Sequence, residues 1–388
     1  MRDTFIVGPL PLLEGFSLGP ARYLHDLANA LRDRGHRVLV VCQRDAWRDT
    51  SARYEQINLW NAGSAATFPA IYWCLLKKRA AAVNMHHEVH MYGEKLAEVA
   101  FVMFLALCRL SGMRVVTTLY YAKSARELRD LSAAGIISRK EYAPGLFLAY
   151  RFFLVCVAFF SNRVMVAEPG DVDAFPAWSK SRVRVVPLLS IRAPVSSSDT
   201  ERTRRTYYLP ENYALFFGNV NKYKGLENFI EAARTLSDRI AFVATGGRNV
   251  ASAIDAPPEY LDYYRQLHDA AIRAGILWLG YVPERDIDSI LKACTVLVLP
   301  YIVRMGASGP LATATSLGVP VLLSRAMDVP EYSTVALEPS AAGVIAAVER
   351  FLDDPSYAAA VARAGRRLIE SRSAASIVER YVDALCSD

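Results

Sequence analysis

The stretch that decides the fold is TVLVLPYIVRMGASGPLATATSLGVPVLL, residues 295–323. It begins with a short apolar run, Thr295–Leu299, and ends with another, Pro320–Leu323. Between them a Gly/Ser-rich loop leads into a helical segment that begins at Pro310, since proline suits the first turn of a helix. Apolar runs without alternation are typical of strands that are covered on both faces. The stretch therefore predicts a strand, loop, helix and strand of a parallel α/β sheet.

The same alternation of apolar runs and amphipathic segments extends over the whole chain. In the second half we predict further strands at Ala214–Phe217, Ile240–Ala244 and Ile276–Leu279. In the first half the predicted strands are Phe5–Val7, Arg37–Cys42, Ala81–Met85, Arg114–Leu119, Arg163–Ala167 and Val183–Pro187. After Ala341 the pattern is helical to the end of the chain.

Length and pattern together predict two domains. The chain has 388 residues, about twice the usual size of one domain. Each half reads as a doubly wound, Rossmann-like α/β domain. The polar, Ser/Thr-rich segment between them lacks an apolar period and predicts a linker. We expect a first domain over 1–190, a linker over 191–206, a second domain over 207–370 and a C-terminal helix over 371–388.

Composition narrows the class of protein. Hydrophobic residues make up 53% of the chain and charged residues 22%, which excludes a disordered or fibrous protein. The net charge of +6 suits an anionic ligand or an anionic membrane surface, whereas the lack of a long basic tract disfavours nucleic acid. Six cysteines without a CxxC pair, and an N-terminus without the apolar core of a signal peptide, indicate a cytoplasmic protein.

Contact with a membrane surface remains an open alternative. Two segments are very apolar, Val99–Leu107 and Gly145–Phe160, but both are shorter than a membrane-spanning helix. They fit buried helices of a large domain. They also fit helices that lie on the inner face of a membrane, an interpretation that the aromatic and basic stretch Ile71–Arg79 supports.

Three loops that follow predicted strands suit a phosphate ligand, because ligands of doubly wound sheets bind outside the carboxyl ends of the strands. The first, GPLPLLEGFSLGP at 8–20, would let the main chain approach a ligand at Gly15. The second, GNVNKYKG at 218–225, brings Lys222 and Lys224 to a helix N-terminus. The third offers Arg304 and the N–H groups around Ser308 and Gly309.

The segment NMHHEVHMYG, residues 84–93, is a candidate for acceptor chemistry. A strand-end His87 or Glu88 beside a sugar hydroxyl fits better than a zinc site, because the spacing does not match HExxH and no cysteine is near. Two D-x-D triplets, at 171–173 and 286–288, do not follow an apolar strand directly. We predict neither a metal nor another cofactor.

The residues resemble the large retaining glycosyltransferase family 4, most strongly over 213–332. The matching segments in the second half are FFGNVNKYKGLENFIEAA, VATGG, LGYVPERDIDSILKACTVLVLPY, SLGVPVLLS and DVPEY. In the first half they are GPARYLHDLANALRDRGHRV, MHHEVHMYG and RVVTTLYY.

This resemblance implies a GT-B fold, with two Rossmann-like domains facing across a cleft and a last helix that crosses back to the first domain. It implies a nucleotide-diphospho-sugar donor bound by the second domain, an acceptor bound by the first, and retention of configuration without a metal. The family's lysine is present as Lys224. Its arginine is replaced by Asn219, its paired glutamates by Met305 and Thr313, and its histidine by Tyr120. The chain therefore resembles a variant without the paired glutamates.

Together these observations predict a retaining hexosyltransferase that acts on a lipid-linked or polysaccharide acceptor. We assign Lys224, Glu88, His87 and Tyr120 to catalysis. Donor-binding residues are assigned as Gly15, Gly218, Asn219, Lys222, Gly246, Tyr281, Val282, Arg304, Ser308, Gly309, Pro310, Leu311 and Thr313. The alternative is a non-catalytic GT-B protein that binds a nucleotide or a partner transferase.

Overall fold

A computed structural model describes residues 3–11, 19–48, 50, 52–133, 135–136, 144–247 and 258–386. The chain divides into two compact units, and the division does not follow the chain order. The first unit consists of residues 1–189 together with 372–388. The second unit consists of residues 190–371.

The first unit is built on a seven-stranded parallel sheet with the order β3-β2-β1-β4-β5-β6-β7. Its strands are β1 Thr4–Val7, β2 Val38–Gln43, β3 Glu55–Trp60, β4 Ala82–His87, β5 Arg114–Leu119, β6 Arg163–Val166 and β7 Val183–Val185. Its helices are α1 Gly19–Asp33, α2 Thr67–Lys77, α3 Lys95–Leu110, α4 Ala125–Ala133, α5 Pro144–Phe160 and α13 Ala374–Cys386.

Helices cover both faces of this sheet, as the continuous apolar strands require. One face packs against α2, α3 and α5, through side chains such as Ile71, Phe104 and Val157. The other packs against α1 and α13, through side chains such as Leu27 and Tyr381. The two apolar segments at 99–107 and 145–160 are therefore α3 and α5, and their inner sides are buried.

The last helix, α13, is held on the first unit by buried polar contacts as well as by its apolar stripe. The Tyr381 hydroxyl donates to Asn84 Oδ1 at 2.7 Å. Just before the helix, the Arg372 guanidinium forms two hydrogen bonds with the Glu168 carboxylate, at 2.9 and 3.1 Å. The chain returns to the first unit after residue 371.

The second unit contains a five-stranded parallel sheet with the order β10-β9-β8-β11-β12. Its strands are β8 Tyr213–Phe217, β9 Ala241–Thr245, β10 Leu277–Gly280, β11 Val296–Leu299 and β12 Val321–Leu323. Its helices are α6 Ser197–Tyr207, α7 Leu226–Leu236, α8 Pro258–Arg273, α9 Glu284–Ala293, α10 Gly309–Ser316, α11 Ala341–Asp353 and α12 Pro355–Ser371.

Two features differ from the sequence-based expectation. The segment 191–206, expected to be a linker, contains all of α6 but its last residue; the helix is capped by Ser196 and packs against α9 of the second unit. Its polar sequence has no apolar period because Thr203 is its one buried residue. The strand β3 was not predicted either, because it lies at the edge of the sheet and is only partly buried.

Candidate functional site

In the sheet of the second unit, β9 and β10 lie on one side of β8, whereas β11 and β12 lie on its other side. The direction in which successive strands are added therefore reverses between β8 and β11. In open α/β sheets such a switch point leaves a crevice at the carboxyl ends of the strands. The loop after β8 begins at Gly218, and the loop after β11 begins at Pro300. Two of the three loops for which the sequence predicts phosphate binding are therefore neighbours.

Lys224 is a charged group in the loop after β8. It ends a short 3-10 turn, Lys222–Lys224, and its side chain is buried. A Cβ atom at Gly218 would overlap Lys224 Nζ, so the ammonium lies directly against the Gly218 backbone. No carboxylate of the described ranges pairs with Nζ. Burial lowers the pKa of this ammonium to about 8, because the charged form has lost its water.

The first turn of α10 lies beside this ammonium. A Cβ atom at Gly218 would be 3.6 Å from Pro310 Cγ, which places Pro310 and Lys224 on the same side of that glycine. Ser308 is the N-cap of α10, and α10 has no acidic residue in its first turn. The positive end of the helix dipole and a buried cation thus converge, an arrangement that attracts an anion.

The hydrogen bonds of this turn correct one expectation. The Leu311 N–H, assigned above to phosphate, donates to Ser308 Oγ at 3.2 Å. The Tyr301 hydroxyl is hydrogen-bonded to the same Ser308 oxygen at 2.9 Å. The Gly309 N–H has no acceptor within the part of the chain that the structure describes. The cap fixes the helix end, and Gly309 is the donor that remains available there.

Two glycines let the ends of β8 and β9 approach each other closely. Gly218 and Gly246 have φ angles of +133° and +143°, which side-chain-bearing residues rarely adopt. A Cβ atom at Gly246 would overlap the Gly218 carbonyl oxygen. Beyond them, Tyr281 is half exposed and contacts Gly247, whereas Val282 is buried in the core. The Cβ atom and main chain of Tyr281 thus lie beside Gly247, just after β9.

The other residues that the sequence assigned to donor binding differ in their surroundings. Lys222 Nζ lies 5.7 Å from the centre of the Tyr263 ring, on α8. Asn219 follows Gly218 directly, and Arg304 is half-buried in the loop between β11 and α10. Gly15 lies outside the described residues.

Thr313 lies against a charged group that the sequence did not reveal. Its side chain is buried, and its Oγ1 accepts a hydrogen bond of 3.2 Å from Arg192 Nη2. Arg192 also pairs with Glu284 at 3.0 Å and with Asp288 at 3.2 Å. No local motif marks Arg192, because its partners lie about a hundred residues away in the chain. The second D-x-D triplet therefore contributes Asp288 to an ion pair.

In the first unit, the polar groups at the carboxyl end of β4 correct the assignment of His87. Successive strand residues point to opposite faces, and His87 points into the core beneath α3. Its Nε2 is 2.7 Å from Glu98 Oε2, and its ring centre is 4.4 Å from that of Phe101. This buried histidine supports the helix and is not placed to meet an acceptor.

His86 lies on the other face of the sheet and is also buried. Its Nδ1 shares a hydrogen bond of 2.7 Å with the Tyr120 hydroxyl, while its Nε2 has no partner among the described residues. Burial lowers the pKa of His86 to about 3, so the ring is neutral. Glu88 follows the strand directly and is exposed. His86, Glu88 and Tyr120 form the polar cluster of this edge.

Within the described ranges, no helix combines the length and the apolar character that crossing a membrane requires.

Comparison with known proteins agrees with this arrangement. Residues 211–364 match the family model described as glycosyl transferases group 1. A curated relative is 2-deoxystreptamine glucosyltransferase of Streptomyces kanamyceticus, 25% identical over 185 residues. That match covers 45% of this chain and spans about half, 46%, of the relative.

Solved structures match over the whole chain. Sucrose-phosphate synthase of Thermosynechococcus elongatus superimposes with a TM-score of 0.72 at 14% identity, covering 99% of this chain and 98% of that one. HepE of Anabaena, solved with UDP, gives a TM-score of 0.70 at 15% identity and covers 100% of both chains. The chain thus has the GT-B fold of glycosyltransferases, and residues 211–364 of its second unit are similar to the glycosyl transferases of group 1.

Proposed function

We propose that this protein transfers a hexosyl group from a nucleoside-diphosphate sugar to an acceptor hydroxyl with retention of configuration. The observation that carries the proposal is the buried Lys224 ammonium, which has no acidic partner in the described chain and lies beside the first turn of α10. A buried cation of this kind is stabilised by an anionic ligand. The phosphates of a sugar donor supply that anion.

The chemistry follows from where charge develops. When the bond between the sugar and the β-phosphate oxygen breaks, negative charge accumulates on the leaving diphosphate. Lys224 and the Gly309 N–H would stabilise this charge. The leaving phosphate oxygen accepts the proton of the acceptor hydroxyl, and that hydroxyl forms the new bond to the sugar. In this scheme neither a metal nor another cofactor takes part.

The first unit would provide the acceptor side. Glu88 is exposed at the carboxyl end of β4, where it can accept a hydrogen bond from a sugar hydroxyl. The Tyr120 hydroxyl is oriented by His86 through their 2.7 Å hydrogen bond. As acceptor we propose a lipid-linked or polysaccharide glycan; the similarity to 2-deoxystreptamine glucosyltransferase adds an aminocyclitol to the acceptors worth testing.

The donor class is tested by thermal shift with UDP, GDP, ADP and CMP and with their sugars. Because HepE was solved with UDP and with UDP-glucose, we expect UDP compounds to stabilise the protein. A ligand at about a hundred times its Kd adds about 2.7 kcal/mol to the free energy of unfolding. Stabilisation without transfer over a broad acceptor panel would favour the non-catalytic alternative. No stabilisation by any nucleotide would contradict both.

A further inference from the structure

Three neighbouring helices of the first unit present an apolar surface to solvent. Helices α2, α3 and α5 cover one face of the seven-stranded sheet, and α3 contacts both of the others. Ten of the seventeen exposed large apolar side chains of the described residues lie on them. These ten define the α2–α3–α5 face: Trp73, Leu96, Val99, Met103, Leu107, Leu110, Leu146, Leu148, Phe152 and Phe159. Of the other seven, Trp178 lies on the 3-10 turn Ala177–Arg182, which contacts α5.

The exposed side of α3 is apolar along its whole length. Leu96, Val99, Met103, Leu107 and Leu110 follow one another at intervals of three or four residues, which places them in one row. Leu96 and Leu110, at the two ends of the row, are 85% and 84% exposed. The opposite side of the helix is buried in the core.

Helix α5 continues this surface. Leu148, Phe152 and Phe159 are exposed on it, and Phe152 is 67% exposed. Its charged residue, Arg151, is turned inward and donates to the Ala174 carbonyl at 2.9 Å. The exposed part of α5 therefore carries no charge. The exposed apolar side chains of α3 and α5 lie on helices in contact, and exposed apolar patches of this kind mark interaction surfaces.

Basic residues border this face at one edge of the sheet. Because the strands are parallel, the helices that connect them end at one edge of the sheet, and the C-terminal ends of α2 and α3 lie there together. This basic edge consists of Lys77, Lys78, Arg79 and Arg109, of which Lys78 pairs with Glu55 at 3.0 Å. The exposed residues of α3 also include Lys95 and Arg109, and no carboxylate.

An aromatic side chain of the apolar face lies close to the basic edge. Lys77 Nζ lies 5.4 Å from the centre of the Trp73 ring, so an aromatic ring and a cation are paired where the apolar face meets the basic edge. Aromatic and basic residues in this order suit the boundary between acyl chains and headgroups.

We propose that the α2–α3–α5 face docks on the surface of an anionic lipid bilayer, with its apolar side chains at the acyl boundary and its basic edge against the headgroups. An anionic bilayer satisfies both properties of the surface at once. A second copy of the chain would cover the apolar side chains but would bring a second set of positive charges. Docking is independent of the proposed sugar transfer and requires no turnover.

Sedimentation of the full chain with vesicles tests this proposal. One set of vesicles is phosphatidylcholine alone, and the other contains about 30% phosphatidylglycerol. We expect binding to the anionic vesicles that weakens as salt is raised, and much weaker binding to the neutral ones. The variants Leu107→Glu and Phe152→Glu should each lower the partition coefficient about tenfold or more, because each puts a charge where an apolar side chain inserts.

The control is Ile272→Glu, which changes a residue of α8 in the second unit that is 52% exposed. It should bind anionic vesicles as the unmodified protein does, and thermal melts should show that all three variants are folded. The proposal is overturned if the unmodified protein stays in the supernatant with both vesicle sets, or if the control loses as much binding as Leu107→Glu. A dimer in light scattering that Leu107→Glu dissociates would assign the face to a second copy instead.

Discussion

Lys224 lies against the backbone of Gly218 and beside Pro310, in a crevice that two separate loops form. The sequence marks it as a charge that precedes a helix, and such lysines usually extend into water. In the structure the side chain is buried, and burial lowers the pKa of its ammonium. A charge held this way raises the free energy of the empty protein and strengthens binding of an anion.

Replacing Lys224 should lower the activity of the protein without lowering its stability. We expect Lys224→Met to lower the rate of transfer or of donor hydrolysis by on the order of 10²- to 10³-fold, because it removes a cation from the developing diphosphate charge. The same change should preserve or raise the melting temperature, since a buried charge disappears. Turnover with UDP-glucose and thermal melts measure the two effects.

The matched control is Lys222→Met, two residues earlier in the same turn. Lys222 faces the Tyr263 ring, so we expect a change of no more than about fivefold. If both variants lose the same activity, the loop has a general electrostatic role and the assignment of Lys224 is wrong.

The pH dependence of donor binding follows from the same ammonium. Its pKa in the free protein is lowered from 10.5 to about 8, so the charge is lost as the pH rises through about 8. We expect the affinity for UDP to fall above that pH, by up to about tenfold per pH unit. Calorimetric titration between about pH 7 and 9.5 should show the fall in the unmodified protein and not in Lys224→Met.

The lowered pKa of Lys224 also determines how the free energy of unfolding changes with pH. The unfolded chain holds this proton more tightly than the folded one, so the contribution of Lys224 to the free energy of unfolding rises between about pH 8 and 10.5. An affinity for UDP that stays constant over the whole range would show that the bound diphosphate does not depend on Lys224.

His86 and His87 show where reasoning from residue types stops. Both follow a predicted strand, and the pattern could not say which face of the sheet each side chain lies on. A one-residue difference places a strand side chain on the opposite face. His87 pairs with Glu98 beneath α3, whereas His86 orients Tyr120. The packing of β4 against its neighbouring elements decided on which face of the sheet each histidine lies.

At the scale of elements, α13 is the last segment of the chain and yet belongs to the first unit. Its apolar stripe of Ile377, Tyr381 and Leu385 is readable in the sequence. The surface that it covers includes Leu27 of α1 and Val116 of β5. Without α13, this side of the sheet would meet water.

Removing residues 372–388 should therefore destabilise the first unit. Five buried side chains leave the core with α13, so we expect a loss on the order of 5 kcal/mol in the free energy of unfolding. Urea unfolding followed by fluorescence measures it. The matched variant Tyr381→Phe removes only the hydrogen bond to Asn84 and should cost about 1 kcal/mol. Equal midpoints for the truncated and complete chains would show that α13 contributes little to this core.

Elements whose sequence has no apolar period were not predicted. Helix α6 buries Thr203 alone and is held by polar contacts, among them Arg204 Nη2 donating to the Ala293 carbonyl at 2.7 Å. Such contacts depend on residues far along the chain and leave no local pattern. The buried strands and amphipathic helices, by contrast, were readable because burial on one or both faces repeats at the period of the element.

At the scale of the whole molecule, the sequence by itself determined a parallel α/β chain in two halves and the loops that can hold a phosphate. These properties are local, because they follow from the apolar period, from glycines in the loops, and from charged residues near the start of a helix. The order of the strands, which makes neighbours of the loops after β8 and β11, was decided by tertiary packing. So were the pairing of Arg192 with Thr313 and the burial of Lys224. Contacts between distant segments depend on how whole elements pack, and no short window of sequence records that packing.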